Sequence, residues 1–317
     1  MPAASSGLQP AAARLLDALL KQSTGVQAAR NELRWMQEAL KQSPATVSGS
    51  TDIESMLHRR VTGEPLQYIL GTQPFGPLNL LTRPPVLIPR PETEDWTIRL
   101  SERLRSFGKA PISLLDLCTG SGCIPILLCH LLPGGSLHAT GVDLSQAAVQ
   151  LARDNSEVCN VTIPPEGPVL PEQCGDWTCN TFLPLLGNIR DPAFVAACGL
   201  RPPYDVITSN PPYITKDDYD KLSPSVKDWE DPRALIGDPE GEATHEDARG
   251  LTFYHTIADL LATASRGLLK ADGLVALEVG EGQANAVAEI LEQKAHMKDI
   301  EIWKDPWDKE RVVVGKN

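Results

Sequence analysis

The sequence has no excess of basic residues. Its 29 Lys and Arg stand against 41 Asp and Glu, a formal charge of −12, which argues against a broad basic surface wrapped around DNA or RNA. It has no long apolar run either; Gly, Ser, Pro or a charge interrupts each one well short of the ~20 residues a membrane span needs. The seven cysteines form no C-x-x-C pair, and an odd number cannot close a complete disulfide framework, so a reducing compartment is expected. All seven lie between Cys118 and Cys198, and the spacings of Cys159, Cys174, Cys179 and Cys198 match no common zinc motif, so no metal is expected. No apolar h-region opens the chain, and there are no internal repeats. What is present is a chain of 317 residues, 42% hydrophobic and 22% charged, long enough for two domains with a sizeable core.

The charge is uneven. Residues 1–75 are nearly balanced, whereas the stretch Thr215–Arg249 holds five basic against eleven acidic residues and reads as a solvated acidic loop. Residues 1–31 carry Arg14, Lys21 and Arg30 against one acid, Asp17, the balance of an organelle transit segment. Leu15, Leu16, Leu19 and Leu20 suit a packed helix equally well. The expected location is mitochondrial or cytoplasmic.

Segments 11–22, 26–42 and 51–62 read as three helices; Val26, Leu33, Met36 and Leu40 recur on one face. From Gln73 to Arg90 helical periodicity gives way to prolines among apolar residues, an extended hairpin-like linker. Beyond a helix at 92–107, strands at 112–117, 137–142, 204–209 and 274–279 alternate with helices at 124–132, 145–155 and 252–269. That alternation implies an α/β fold with a mainly parallel sheet covered on both faces. Segments 300–303 and 311–314 suggest a closing antiparallel hairpin. Residues 159–203, rich in proline and cysteine, read as a surface insertion with one strand or turn near Gly175–Trp177.

Three strand ends carry candidate chemistry. Asp116-Leu117-Cys118-Thr119-Gly120-Ser121-Gly122 joins a strand to a helix, where glycines permit a tight turn and close approach of a nucleotide-like ligand to the backbone. Asp143 follows Gly122 by 21 residues at the next strand end, where a carboxylate can accept two ribose hydroxyls or cap a helix. Asn210-Pro211-Pro212-Tyr213 follows the strand 204–209. Its two prolines stiffen the turn and remove two donors, leaving carbonyl acceptors beside an amide and a ring, a set that binds a planar amino group.

Together these motifs resemble class I methyltransferases that use S-adenosyl-L-methionine to methylate planar amino groups. Arg60-Val61-Thr62-Gly63-Glu64-Pro65-Leu66-Gln67-Tyr68-Ile69-Leu70-Gly71 and Leu87-Ile88-Pro89-Arg90-Pro91-Glu92-Thr93-Glu94 resemble more closely the HemK family, glutamine methyltransferases of peptide-chain release factors. The resemblance implies a Rossmann-like methyltransferase sheet with a C-terminal antiparallel hairpin over residues 92–317, a hairpin-like linker over 73–91, and a helical domain over 1–72 that docks the release factor. It implies that Cys118, Thr119, Gly120, Ser121 and Gly122 cradle the methionine end of the cofactor, that Asp143 holds the ribose, and that Trp177 lies near the adenine. Asn210, Pro211, Pro212 and Tyr213 are implied to hold and shield the glutamine amide of a Gly-Gly-Gln loop, with Asn210 also beside the cofactor. Arg90 and Glu92 are implied on a loop near the cofactor, and Glu278 in a structural role at a strand end. The family usually has glycine where this chain has Cys118.

Other acceptors consistent with the motifs are a ribosomal-protein glutamine and the adenine amino group of a nucleic acid; the acidic charge opposes the latter. A non-catalytic adaptor that kept the fold is a further alternative. The expected enzyme is a monomer that binds neither DNA nor membrane.

Overall fold

The structure, a computed structural model, describes residues 17, 25–42, 52–107, 111–164, 178–239, 249–262 and 267–317. Among these, no helix is long and apolar enough to cross a membrane. Asp17 is helical; the rest of the expected helix 11–22 lies outside the described residues.

Helices Val26–Gln42, Ile53–Val61 and Leu66–Leu70 share one apolar cluster built from Ala29, Leu33, Met36, Met56, Leu57, Leu66 and Ile69. The steps of four and three from Ala29 to Met36 put these side chains on a single helical face. Val26, expected on that face, is exposed, and Ala29 takes its place. Arg60 grips Glu32 at 2.7 Å, and the Arg59 guanidinium pairs with the buried Glu64 of the Gly-Glu-Pro segment. The Tyr68 hydroxyl donates to the Val86 carbonyl at 2.7 Å, tying these helices to the chain that leads into the larger body.

An antiparallel hairpin follows, β1 (Thr72–Phe75) and β2 (Leu78–Leu81), turning at Gly76-Pro77. After the helix Pro91–Arg105 come β3 (Ile112–Leu117), β4 (Leu137–Asp143), β5 (Thr181–Leu186), β6 (Tyr204–Ser209), β7 (Leu269–Glu278), β8 (Lys298–Lys304) and β9 (Glu310–Lys316). They form one Rossmann-like sheet in the order β5-β4-β3-β6-β7-β9-β8; the first five are parallel and β9 runs antiparallel to both its neighbours. Alternate residues serve opposite layers, as the two-residue strand period requires. Leu114, Val206, Ala276 and Val314 pack with the helices Pro91–Arg105 and Cys123–Leu131, while Leu115, Ile207, Val275 and Val313 pack with the helices Thr252–Ala262 and Ala284–Ala295.

Three expectations need correction. Residues 159–203 are not merely a surface insertion, because Thr181–Leu186 is a sheet strand, pairing with β4 from Thr181↔His138 to Leu186↔Asp143. Pro184 hides it from a sequence reading. A proline has no N–H to donate to a neighbouring strand, which fits the edge position that β5 occupies. The helix beginning at Thr252 does not run to Leu269 as expected: it is described to Ala262, Gly267 and Leu268 are not helical, and Leu269 already belongs to β7. The segment after Tyr213 is also more than a solvated loop. Glu230, 3% exposed, pairs with Arg90 at 2.6 Å, and the Asp231 N–H donates to the Pro85 carbonyl at 2.8 Å.

Candidate active site

β3 stops at Leu117 and the chain turns through Cys118–Gly122 into the helix Cys123–Leu131. Cys118, Gly120 and Gly122 all take left-handed backbone angles, with φ of 57, 54 and 78°. At Gly122 a side chain would meet the Phe182 ring at 2.8 Å, whereas at Gly120 nothing lies within 4 Å of the missing Cβ, so its backbone is open to an incoming ligand. Beneath the turn, buried Asp116 accepts the Thr119 hydroxyl at 2.6 Å and the Thr208 hydroxyl at 2.7 Å, locking the loop to β6. Burial pushes the Asp116 carboxyl up to about 7, although both hydroxyls oppose the shift. Burial likewise holds the Cys118 thiol far above its ordinary range, with the Asp143 and Asp116 carboxylates adding to the effect.

Asp143 ends β4. Its Oδ2 accepts the Gly120 N–H and its Oδ1 the Ser145 N–H, each at 2.8 Å. Burial raises its carboxyl, and the two N–H groups pull it back. The N-cap of the helix Gln146–Val158 is Ser145, whose hydroxyl accepts from the Ala148 N–H, so the cap reading of Asp143 is set aside.

β6 delivers Asn210-Pro211-Pro212-Tyr213 beside these two ends. The Asn210 amide donates to the Thr93 hydroxyl at 3.3 Å. The Tyr213 hydroxyl lies 3.4 Å from Glu278 Oε1, and burial, then the nearby Glu278, raises the phenol. Glu278 is fully buried at the end of β7, where Thr93 and the Trp96 indole donate to its Oε2. Gln283, absent from the sequence expectations, donates its amide to the carbonyls of Tyr213 and Arg249 and accepts the Gly280 N–H. It thereby fixes the far end of the turn.

Cys118, Gly120, Asp143, Asn210 and Pro212 meet in one cleft. It lies outside the carboxyl ends of the strands where β3 has β4 on one side and β6 on the other, the switch point at which open α/β sheets take ligands. Val86, Leu144, Ile189 and Phe253 give it apolar walls, and Asp231 and Arg233 stand at its edge. An open glycine backbone, a strand-end carboxylate and apolar walls together fit a nucleoside bearing a short polar tail.

Asn210 also lines a second cavity, with Pro211, Tyr213, Leu87, Arg90, Ile214 and Leu235 among its walls. Of the expected residues, Thr119 and Ser121 are buried behind the cleft, and Gly122 serves the turn. Arg90 precedes the helix Pro91–Arg105 and Glu92 lies in its first turn, rather than on a loop. Trp177, with Gly175 and Asp176, lies outside the described residues. Asn188 and Ile189 were missed because the strand before them was missed.

No family model matches the sequence. The chain is 31% identical over 272 residues to a release factor glutamine methyltransferase of Bacillus anthracis, covering 86% of this chain and 83% of that one. It is 33% identical over 264 residues to one of Thermodesulfovibrio yellowstonii, covering 83% and 80%, and 32% identical over 305 residues to one of Geobacter sulfurreducens, covering 92% and 91%. Among solved structures, a release-factor-specific protein-(glutamine-N5) methyltransferase of Alicyclobacillus acidocaldarius aligns with a TM-score of 0.38 and 23% identity over 73% of this chain and 94% of that one. Identity above three residues in ten across more than four-fifths of both partners is a relationship of whole chains, and by it this protein belongs to the release factor glutamine methyltransferases.

Proposed function

We propose that the protein transfers a methyl group from S-adenosyl-L-methionine to the side-chain amide nitrogen of a glutamine in a peptide-chain release factor, the glutamine of a Gly-Gly-Gln loop. One observation carries this reading: Asn210 stands in the wall between two cavities, one suited to the cofactor and one left for an acceptor. The first would hold the cofactor with Asp143 on its ribose and the Cys118–Gly122 backbone beside its methionine end. When bound, the cofactor supplies a methyl carried on positively charged sulfur. The second cavity is mostly apolar, and its Arg90 charge is engaged by Glu230, so a neutral amide suits it better than a charged side chain.

A glutamine amide nitrogen is a poor nucleophile because its lone pair is delocalised into the carbonyl. Asn210 Oδ1 and the Pro211 carbonyl accept its two hydrogens, which aims the nitrogen and favours the pyramidal geometry of attack. The Tyr213 ring packs on the amide plane and keeps water away. The nitrogen gains the methyl and then releases a proton made acidic by the attack. Asn210 has no basic site at neutral pH, so its part is geometric and electrostatic.

The N-terminal helices, with their own apolar cluster and their tie from Tyr68 to Val86, serve as the docking unit for the release factor in this reading. The basic balance of residues 1–31 supports an organellar address over a cytoplasmic one. Incubation with methyl-labelled cofactor and candidate release factors, followed by mass spectrometry, is the test. One methyl on the loop glutamine is expected, and Asn210→Ala is expected to lose turnover by ~10² or more while still binding cofactor. An unlabelled release factor refutes the substrate; near-normal turnover removes Asn210 from the reaction.

A further inference from the structure

An asparagine amide is nearly symmetric in shape, so its use as an acceptor depends on which end faces the substrate. We propose that Thr93 is a positioning residue that sets this choice for Asn210, as the middle of a one-way hydrogen-bond chain that starts at Trp96 and passes through Glu278. The proposal rests on the reading of Asn210 as an acceptor for the glutamine amide.

The direction of the chain follows from its first member. An indole N–H can only donate, so Glu278 Oε2 receives from Trp96 at 2.8 Å. Burial raises the Glu278 carboxyl while the Thr93 and Trp96 donors pull it back; the oxygen that already receives the indole hydrogen acts as an acceptor, so the Thr93 hydroxyl, 2.6 Å from it, donates to it as well. That commits the single hydroxyl hydrogen of Thr93 and leaves its lone pairs facing Asn210. The amide therefore presents its NH₂ to Thr93, at 3.3 Å, and its oxygen to the cavity. Thr93, Trp96 and Glu278 are each at most 2% exposed, so no water competes for these partners. The other oxygen of Glu278 faces the Tyr213 hydroxyl, so one carboxylate steadies both ends of the Asn-Pro-Pro-Tyr turn. These partners come from three distant places in the chain, the first turn of the helix Pro91–Arg105, the end of β7 and the end of β6. Helix formation alone requires no hydroxyl at position 93 there.

The test compares Thr93→Val, which keeps the shape without the hydroxyl, with Thr93→Ser, which keeps the hydroxyl. For Thr93→Val, kcat on the release factor falls by about tenfold or more while the affinity for S-adenosylhomocysteine is unchanged; Thr93→Ser recovers kcat to within about threefold of wild type. A merely structural threonine would move cofactor affinity and stability along with kcat. If Thr93→Val does not bind cofactor, Thr93→Ala replaces it in the same comparison. A kcat for the hydroxyl-free variant within about twofold of wild type overturns the proposal, as does a Thr93→Ser variant as slow as Thr93→Val.

A second readout needs no substrate. The Asn210 side-chain NH₂ signals in NMR, identified by their loss in Asn210→Asp, are protected from exchange in wild type and Thr93→Ser and unprotected in Thr93→Val. Equal exchange in all three overturns the proposal. A wild-type protein that methylates no release factor refutes the substrate reading instead, and the amide signals still decide on Thr93.

Discussion

Asp143→Asn separates the observed job of this carboxylate, accepting two backbone N–H groups, from the proposed one, holding the ribose. Each of its oxygens already accepts one backbone N–H, from Gly120 on one side and Ser145 on the other, both at 2.8 Å. An asparagine has one oxygen, so whichever way it turns, one of these N–H groups faces an NH₂. An unsatisfied buried donor costs about 1–3 kcal/mol, and the variant is expected to lose that much stability before any ligand is added. A ribose held by Asp143 as proposed adds a second loss. Hydrogen bonds to a charged acceptor exceed neutral ones by about 1 kcal/mol, so two hydroxyls account for ~2 kcal/mol, or roughly 30-fold in Kd. Urea denaturation without ligand reads the first quantity and calorimetry with S-adenosylhomocysteine the second. A variant of wild-type stability that binds within about threefold of wild type would refute both the two-donor accounting and the ribose assignment.

Other perturbations have equally definite outcomes. Cys118 holds a left-handed conformation at φ 57°, which costs a side chain about 1 kcal/mol, while glycine loses ~0.5–1 kcal/mol more entropy on folding. Cys118→Gly should therefore leave urea stability within about 0.5 kcal/mol, whereas branched Cys118→Val should lose ~2 kcal/mol or more; a Gly variant weaker than the Val variant refutes the strain argument. Asp116, with a folded pKa of about 7 against an unfolded value of 3.8, binds a proton more tightly in the folded state. Stability should therefore fall as pH rises from about 4 to about 7, and Asp116→Asn should remove that slope from pH-dependent melts; an unchanged slope assigns it elsewhere. Arg90→Met leaves the Glu230 carboxylate buried without its partner. Because the arginine side chain is 33% exposed, the cost should be about 1–2 kcal/mol rather than the ~3–5 kcal/mol of a dry pair, with faster proteolysis within residues 215–239 as the readout.

The sequence discloses the sheet wherever period and punctuation agree. Ile112–Leu117 and Tyr204–Ser209 are apolar runs buried on both faces and bounded by turn residues, and they are strands to the residue. The convergence of Cys118, Asp143 and Asn210 was legible because parallel strands send their carboxyl ends to one edge. β5 was not legible, since Pro184 imitates a loop and nothing local marks the edge position that admits it. The supports behind Asn210 were hidden for a different reason. Thr93 and Glu278 lie 185 residues apart, and each has an ordinary local role that predicts no contact between them. Gln283 likewise reaches back 70 residues to the Tyr213 carbonyl.

Two cavities that meet at Asn210 would give the two proposed reactants separate doors. In the proposed reading, spent nucleoside leaves and a fresh donor enters while the protein acceptor stays seated, and the acceptor departs without waiting for that exchange. Neither has to arrive first. Steady-state kinetics should accordingly follow a random order, with S-adenosylhomocysteine competing against the donor but not against the release factor.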